Sequence, residues 1–417
     1  MDSLEAAVEA VVSPVGLGQG IGPNSDAIGR EVAHQALAGL TPGDVPAWAV
    51  AFSGGRHDGP TAFAAMRDVL GAIPLVGGAA VGTITRHAVG YSGFELAVAT
   101  FPASLGVPTI LAEAGLDRGE AVVGARLGRR IREAAAPGAT VILFYDSVRS
   151  APPPVLHAGS RLVEGIYAGL DGLAIHLVGG GTIADIQLTA SYVFDGTAST
   201  HHAAVAVVLP PALTADTVIL HGCVPASSFM EITRVEGAVV YELNGRPAIE
   251  ALEMMLGMPI DDKRAQDLSL RVTLGEKHGD PFAPYDESAY VNRLIVAADA
   301  KSGALSLFEA DFRAGARVQF MARDNDMMLA SVERGTQALM ERLAGKSCVL
   351  GLYFDCAGRS GLVSGSSSEE AQLMVRHCRP DLPVLGFFSG VEIAPLMGRS
   401  RPLDWTGVLT VIHRAQG

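Results

Sequence analysis

Asp355, Cys356 and Arg359 follow the apolar run Val349-Leu-Gly-Leu-Tyr-Phe354 and precede Gly361, so all three fall at the carboxyl end of a buried strand. Open α/β sheets bind ligands at such ends. An arginine fork placed there can take a carboxylate through charge-assisted hydrogen bonds, and Arg293 offers a second cation for the same task. The competing reading makes Asp355 and Arg359 an internal ion pair at a turn. Cys356 admits two roles: a small buried thiol, or a nucleophile activated by the neighbouring arginine with His377 as its base. Gly179, Gly180 and Gly181, ahead of Thr182 and Asp185, could cradle an anionic group with backbone amides or simply let two segments pack closely. Ser53, ahead of Arg56, His57 and Asp58, is the matching strand end nearer the amino terminus.

Metal chemistry finds little support. His201 and His202 are adjacent on an expected strand and point to opposite faces, so they do not chelate together. A haem iron needs a single axial histidine, for which His57, His87, His157, His176 and His221 are all candidates. The glycine series from Gly16 to Gly22 fails as a dinucleotide loop, because Ile21 and Pro23 stand where a third glycine belongs. No cofactor is required by any of these patterns.

The elements that position these residues recur. Trp48 to Ser53, Thr140 to Asp146 and Val349 to Asp355 are apolar runs stopped by a small polar residue. Each leads through a helix-like segment to a second run carrying glycine: Ile73 to Gly78, Ile175 to Gly180 and Leu382 to Phe387. A third run, Phe94 to Phe101, Ala203 to Leu209 or Val408 to Ile412, closes each unit. The unit reads strand, helix, strand, glycine turn, strand, and glycine there leaves backbone amides free to face a ligand. With 49 glycines in the chain the match is cheap for one copy and persuasive only as a series of three. Residues 6 to 17 read as an opening strand, followed by a turn and a helix capped at Asn24 or Ser25. Two strands around Glu236-Gly237, a hairpin over 290–308 and an amphipathic helix over 324–343 fill the region before the third unit.

A chain of 417 residues exceeds the size at which one core stops growing, and the proline pair at Pro210-Pro211 marks the division into 1–212 and 213–417. The expected class is mixed α/β, two domains built from these units around mixed sheets. A net charge of −13 opposes binding to a phosphate backbone, so no nucleic-acid partner is expected. No run approaches a membrane span and the amino end lacks a secretory signal. Four unpaired cysteines fit reduced thiols, and the expected location is the cytoplasm.

Phe354-Asp-Cys356-Ala-Gly-Arg359, Gly386-Phe-Phe-Ser389-Gly-Val-Glu392-Ile-Ala-Pro395 and Tyr290-Val-Asn-Arg293 are similar to the carboxyl-terminal domain of the FIST sensory proteins. The first half, through Trp48 to Ser53, the Val76-Gly-Gly turn and Gly179 to Asp185, resembles the amino-terminal domain of that family. Val391 stands where the family pattern has glycine, which implies an altered turn in front of Glu392. The resemblance implies a bacterial or archaeal intracellular sensor that binds a small, amino-acid-like ligand. It also implies an alternative, since some members look like haem proteins that detect nitric oxide and regulate a partner kinase or cyclic-diguanylate enzyme.

The resulting expectation is a stand-alone sensor for a small polar, anionic ligand, signalling to a separate protein. Its expected ligand residues are Ser53, Gly179, Gly180, Asp185, Arg293, Asp355, Cys356, Arg359, Ser389 and Glu392. A cysteine-dependent enzyme is the further alternative, and a homodimer is the default assembly.

Overall fold

A computed structural model describes residues 13–260 and 271–415. Three six-stranded sheets share one order of parts. In the first, Glu95–Pro102 lies between the edge strand Gly16–Ile21 and Pro46–Gly54, and Leu75–Ala80 runs parallel to Pro46–Gly54. In the second, the corresponding strands are Thr109–Ala114, Ala203–Val208, Thr140–Asp146 and His176–Thr182. In the third they are Leu213–Leu220, Gly407–Arg414, Cys348–Cys356 and Val384–Ser389.

Each sheet is completed by a hairpin from elsewhere in the chain. Val193–Gly196 and Ser199–Thr200 extend the first sheet. Val391–Leu396 and Arg399–Leu403 extend the second, and Thr83–Thr85 with Val89–Gly90 extends the third. Every unit therefore lends its hairpin to another unit's sheet, and the two halves of the chain are laced together across residues 209–212.

The glycines expected to form turns lie inside the second strands instead. A Cβ on Gly77 would sit 2.1 Å from the Ala51 carbonyl oxygen, and one on Gly179 would sit 1.9 Å from that of Leu143. Gly77 and Gly179 also have φ of 118° and 154°. Their role is close approach between parallel strands, where a side chain would collide with backbone.

The opening strand differs as well. Residues 6 to 12 lie outside the described residues, and the strand observed is Gly16–Ile21, where a turn was expected. Gly16 and Gly18 alternate on its outer, helix-facing side, and a Cβ on either would lie 1.8 Å from a carbonyl oxygen of the helix Ser25–Ala38. Glycine here lets that helix rest directly on the strand. Asn24 caps the helix by accepting from the Ala27 amide, as expected.

A pair of helices covers the outer face of each sheet: Ser25–Ala38 with Gly59–Leu70, Glu120–Ala134 with Gly159–Leu170, and Asn325–Arg342 with Glu370–His377. The inner faces meet in one core. At its centre Phe52, Phe144 and Phe354, which occupy equivalent positions on three first strands, pack with Phe387. Ring centroids lie 4.2 Å apart for Phe52 and Phe387, and 5.7 Å apart for Phe52 and Phe144. Three strand edges thus converge, but on a plug of aromatic rings and not on a shared cavity.

Inserted in sequence between the strand Leu213–Leu220 of the third sheet and the helix Asn325–Arg342 lies a closed barrel. Met230–Glu236, Val239–Leu243, Ala304–Leu307, Tyr290–Asp299, Val272–Lys277 and Arg317–Ala322 pair antiparallel in a ring, with Ile232, Leu274, Ile295, Leu305 and Phe320 inside. Closure removes the free edges that would otherwise invite pairing with other chains.

Candidate functional site

The strands Cys348–Cys356 and Val384–Ser389 end side by side, with Cys356 paired to Ser389. Their carboxyl ends open on a cleft of about 190 Å³. Cys356, Ala357, Gly358, Ser389 and Gly390 form its base. The loop after His176–Thr182 supplies Ile183, Ile186 and Leu188, the barrel supplies Leu294 and Phe308, and Asp404 and Trp405 close the remaining wall. The cleft is therefore the meeting point of the second sheet, the third sheet and the barrel.

Of the expected residues, Cys356 and Ser389 line this space. Asp355, Arg359, Glu392 and Arg293 stand behind it, fully buried. Arg359 does not offer a free fork. Its Nε donates to Glu370 Oε2 at 2.9 Å, its Nη2 to Glu370 Oε1, and its Nη1 to the carbonyls of Trp405 and His221 at 2.9 and 3.2 Å. Asp355 Oδ1 lies 3.4 Å from its Nε. Arg293 is engaged likewise: Nε and Nη2 donate to the two Asp311 oxygens at 2.7 and 2.6 Å, and Nη1 lies 3.3 Å from Asp404 Oδ1. A buried guanidinium without partners is costly, so these two residues are held by internal carboxylates and carry no ligand clamp. The ion-pair reading of Asp355 and Arg359 describes the geometry better, with Glu370 as the principal partner.

Glu392 lies on Val391–Leu396, with Oε1 2.8 Å from Ser389 Oγ and Oε2 accepting from the Thr406 amide at 3.3 Å. Val391 is extended and buried, so the position needs no glycine and the turn is unaffected. Burial, reinforced by neighbouring acids, pushes Glu392 and Asp355 well above the usual carboxylate range. Burial also pushes Asp404 up to about 7, against the opposing pull of Arg293. Enclosure and the Glu392 carboxyl push the Cys356 thiol well above its ordinary value, the reverse of what a nucleophile needs. His377, its expected base, bonds to Gln337 and lies 3.7 Å from Glu333 on the neighbouring helix.

Gly179 and Gly180 serve strand packing, as above, and Gly180 would meet Val391, Phe387 and Phe354. Asp185 caps its own loop by accepting from the Thr189 amide and hydroxyl. Ser53 is buried in the first sheet with no hydrogen-bond partner among the described residues. None of these four lines the cleft.

The histidines proposed for haem sit in their own local networks. His157 bonds Glu120 and His202, His176 bonds Thr217, and His221 bonds the Cys223 amide and the Glu287 carbonyl. His57 bonds Ser25, and His87 lines a separate surface recess with Arg86 and Arg376. None of the five lines the cleft, and no cluster of metal ligands occurs among the described residues.

Sequence reasoning missed Asp404, Trp405, Leu294 and Phe308. A signal was present for one of them: Trp405 is one of two tryptophans and sits in a polar break just before the last strand. Its φ of 57° is a strained value for a bulky residue, held by the surrounding packing.

Sheets, barrel and cleft together define a two-domain mixed α/β protein with a ligand-sized recess at its strand ends. The chain belongs to the FIST family: the FIST N domain matches residues 47–246 and the FIST C domain residues 248–395. FIST domains are sensory domains that bind small ligands. The chain is 30% identical over 187 residues to an uncharacterized protein of Mycobacterium tuberculosis, covering 44% of this chain and 47% of that one. An uncharacterized protein of Mycobacterium bovis is 29% identical over 196 residues, covering 46% and 48%. The matched region thus spans about half the length of these curated relatives. Among solved structures a chorismatase aligns with 90% of this chain and 94% of its own, at 9% identity and a TM-score of 0.34. That likeness is too low to carry an argument. No described helix is long and apolar enough to cross a membrane.

Proposed function

We propose that this chain is a cytoplasmic sensor whose small ligand occupies the cleft under the barrel and whose signal passes to a separate protein. The observation that supports this best is the composition of the cleft's walls. One small space touches the second sheet, the third sheet and the barrel, so an occupant there changes the contact between the halves of the molecule. Sheets that share one order of parts favour reading the chain as three copies of one unit.

The walls favour a ligand with an apolar body, matched to Ile183, Ile186, Leu188, Leu294 and Phe308, and one polar end near Ser389, Cys356 and Asp404. The reading requires no cofactor. A panel of small organic acids, amides and amino acids scored by thermal shift tests it, with Ile186→Trp as the control. Ile186 is 39% exposed at the cleft, so tryptophan there fills the space without disturbing a core. Ligands that stabilise the wild type should lose their effect on the variant. Equal stabilisation of both proteins would place the ligand elsewhere.

A further inference from the structure

Charge surrounds the cleft but is not offered to its interior. Among the described residues no lysine, arginine or histidine lines it. Arg293 and Arg359 are held behind it by Asp311, Asp404 and Glu370. Arg323 stacks on the ring of Trp405, 3.7 Å from its centroid, and is not part of the lining. Ile186, the exposed residue of the lining, and the half-buried Leu188 and Val363 are aliphatic, so no cation waits at the solvent side either.

The polar groups of the wall are already committed. Asp404 Oδ1 faces Arg293 Nη1 at 3.3 Å, and Oδ2 accepts from the Leu294 amide at 3.1 Å. Ser389 Oγ lies 3.1 Å from the Asp355 carbonyl and 2.8 Å from Glu392 Oε1. The protein's own acids report how this region treats negative charge: burial lifts Asp355 and Glu392 well above the usual carboxylate range and Asp404 to about 7. A ligand carboxylate would give up its water among the same groups with no cation to receive it. An ammonium group is no better served, because the carboxyl in the wall is engaged by Arg293 and Leu294.

We propose that the cleft selects an uncharged ligand, an amide, ketone or alcohol on a ring-sized apolar body, and excludes carboxylates, amino acids and amines. This rests on the cleft being the ligand site, and it replaces the anionic ligand expected from the strand-end arginines. An apolar cavity of about 150 Å³ accepts a benzene ring. The cleft, at about 190 Å³, therefore has room for one six-membered ring with a short polar substituent.

The test measures thermal shift and calorimetry on wild type and Ile186→Trp with four probes of one shape: benzamide, acetophenone, benzoate and benzylamine. At pH 7 benzamide and acetophenone should raise the wild-type melting temperature, and benzoate and benzylamine should bind roughly a hundredfold more weakly. Between pH 7 and pH 5 the affinity of benzoate relative to benzamide should rise about tenfold per pH unit, because only its protonated form enters. Taking benzamide as the reference cancels any titration of the protein itself. Benzoate or benzylamine binding as tightly as benzamide at pH 7, and losing that binding in Ile186→Trp, would overturn the proposal while leaving the cleft as the ligand site. A wild type that ignores both neutral probes, or a benzoate-to-benzamide ratio that stays flat from pH 7 to pH 5, would also overturn it. Neutral probes that act equally on wild type and Ile186→Trp would overturn both the selectivity and the cleft.

Discussion

Replacing Asp404 with asparagine should flatten the pH dependence of stability by an amount the structure fixes. Asp404 Oδ2 accepts from the Leu294 amide at 3.1 Å and Oδ1 faces Arg293, yet burial raises its pKa from the ordinary 3.8 to about 7. Between those values the folded protein holds a proton that the unfolded chain has released. Stability from this group is thus full below 3.8 and lost as pH rises through about 7. Each pH unit in that window corresponds to about 1.4 kcal/mol, so raising the pH from about 5 to about 8 should remove about 3 kcal/mol from the wild type. Asparagine keeps the shape and an acceptor for Leu294 but does not titrate. Urea unfolding of both proteins at the two pH values isolates the group, because all other titrations cancel in the difference. Wild-type and variant curves that stay parallel across this range would refute the argument that Asp404 is protonated in the fold.

Glu370→Gln should destabilise the protein by about 3–5 kcal/mol in chemical denaturation, since it strips a buried guanidinium of its main counter-charge; a loss under about 1 kcal/mol would mean that Arg359 is not held as described. Cys356 should react with iodoacetamide more slowly than Cys348, because enclosure and the Glu392 carboxyl keep its thiol protonated, whereas that of Cys348 is raised less. Faster labelling of Cys356 in a mass-spectrometric time course would revive the nucleophile reading.

The strand-forming runs were legible because they are local. Trp48 to Ser53, Thr140 to Asp146 and Val349 to Asp355 are buried on both faces, and a continuous apolar run records that directly. The partners of those strands were not legible. Nothing in Thr83-Ile-Thr85 says that it pairs with Gly386 rather than with its own neighbours, because periodicity reports burial and not the identity of the covering strand.

The same limit applied to the site. The sequence places Arg359 at a strand end, but whether it meets a ligand or Glu370 depends on how the helix Glu370–His377 folds back. Gly179 was noticed for the right reason, the lack of a side chain, but the need is met by the carbonyl of Leu143 and not by a ligand.

The lent hairpins bear on how the molecule can be cut. Strand Val384–Ser389 borders on Thr83–Thr85, His176–Thr182 on Val391–Leu396, and Leu75–Ala80 on Val193–Gly196. Severing any third would strip one sheet of its border and leave another hairpin with nothing to join. A fragment ending near residue 246 would bare the backbone of His176–Thr182 to any strand in solution, the condition under which chains clump. Such a ring of mutual loans favours assembly of all three parts together and makes either half alone a poor reagent.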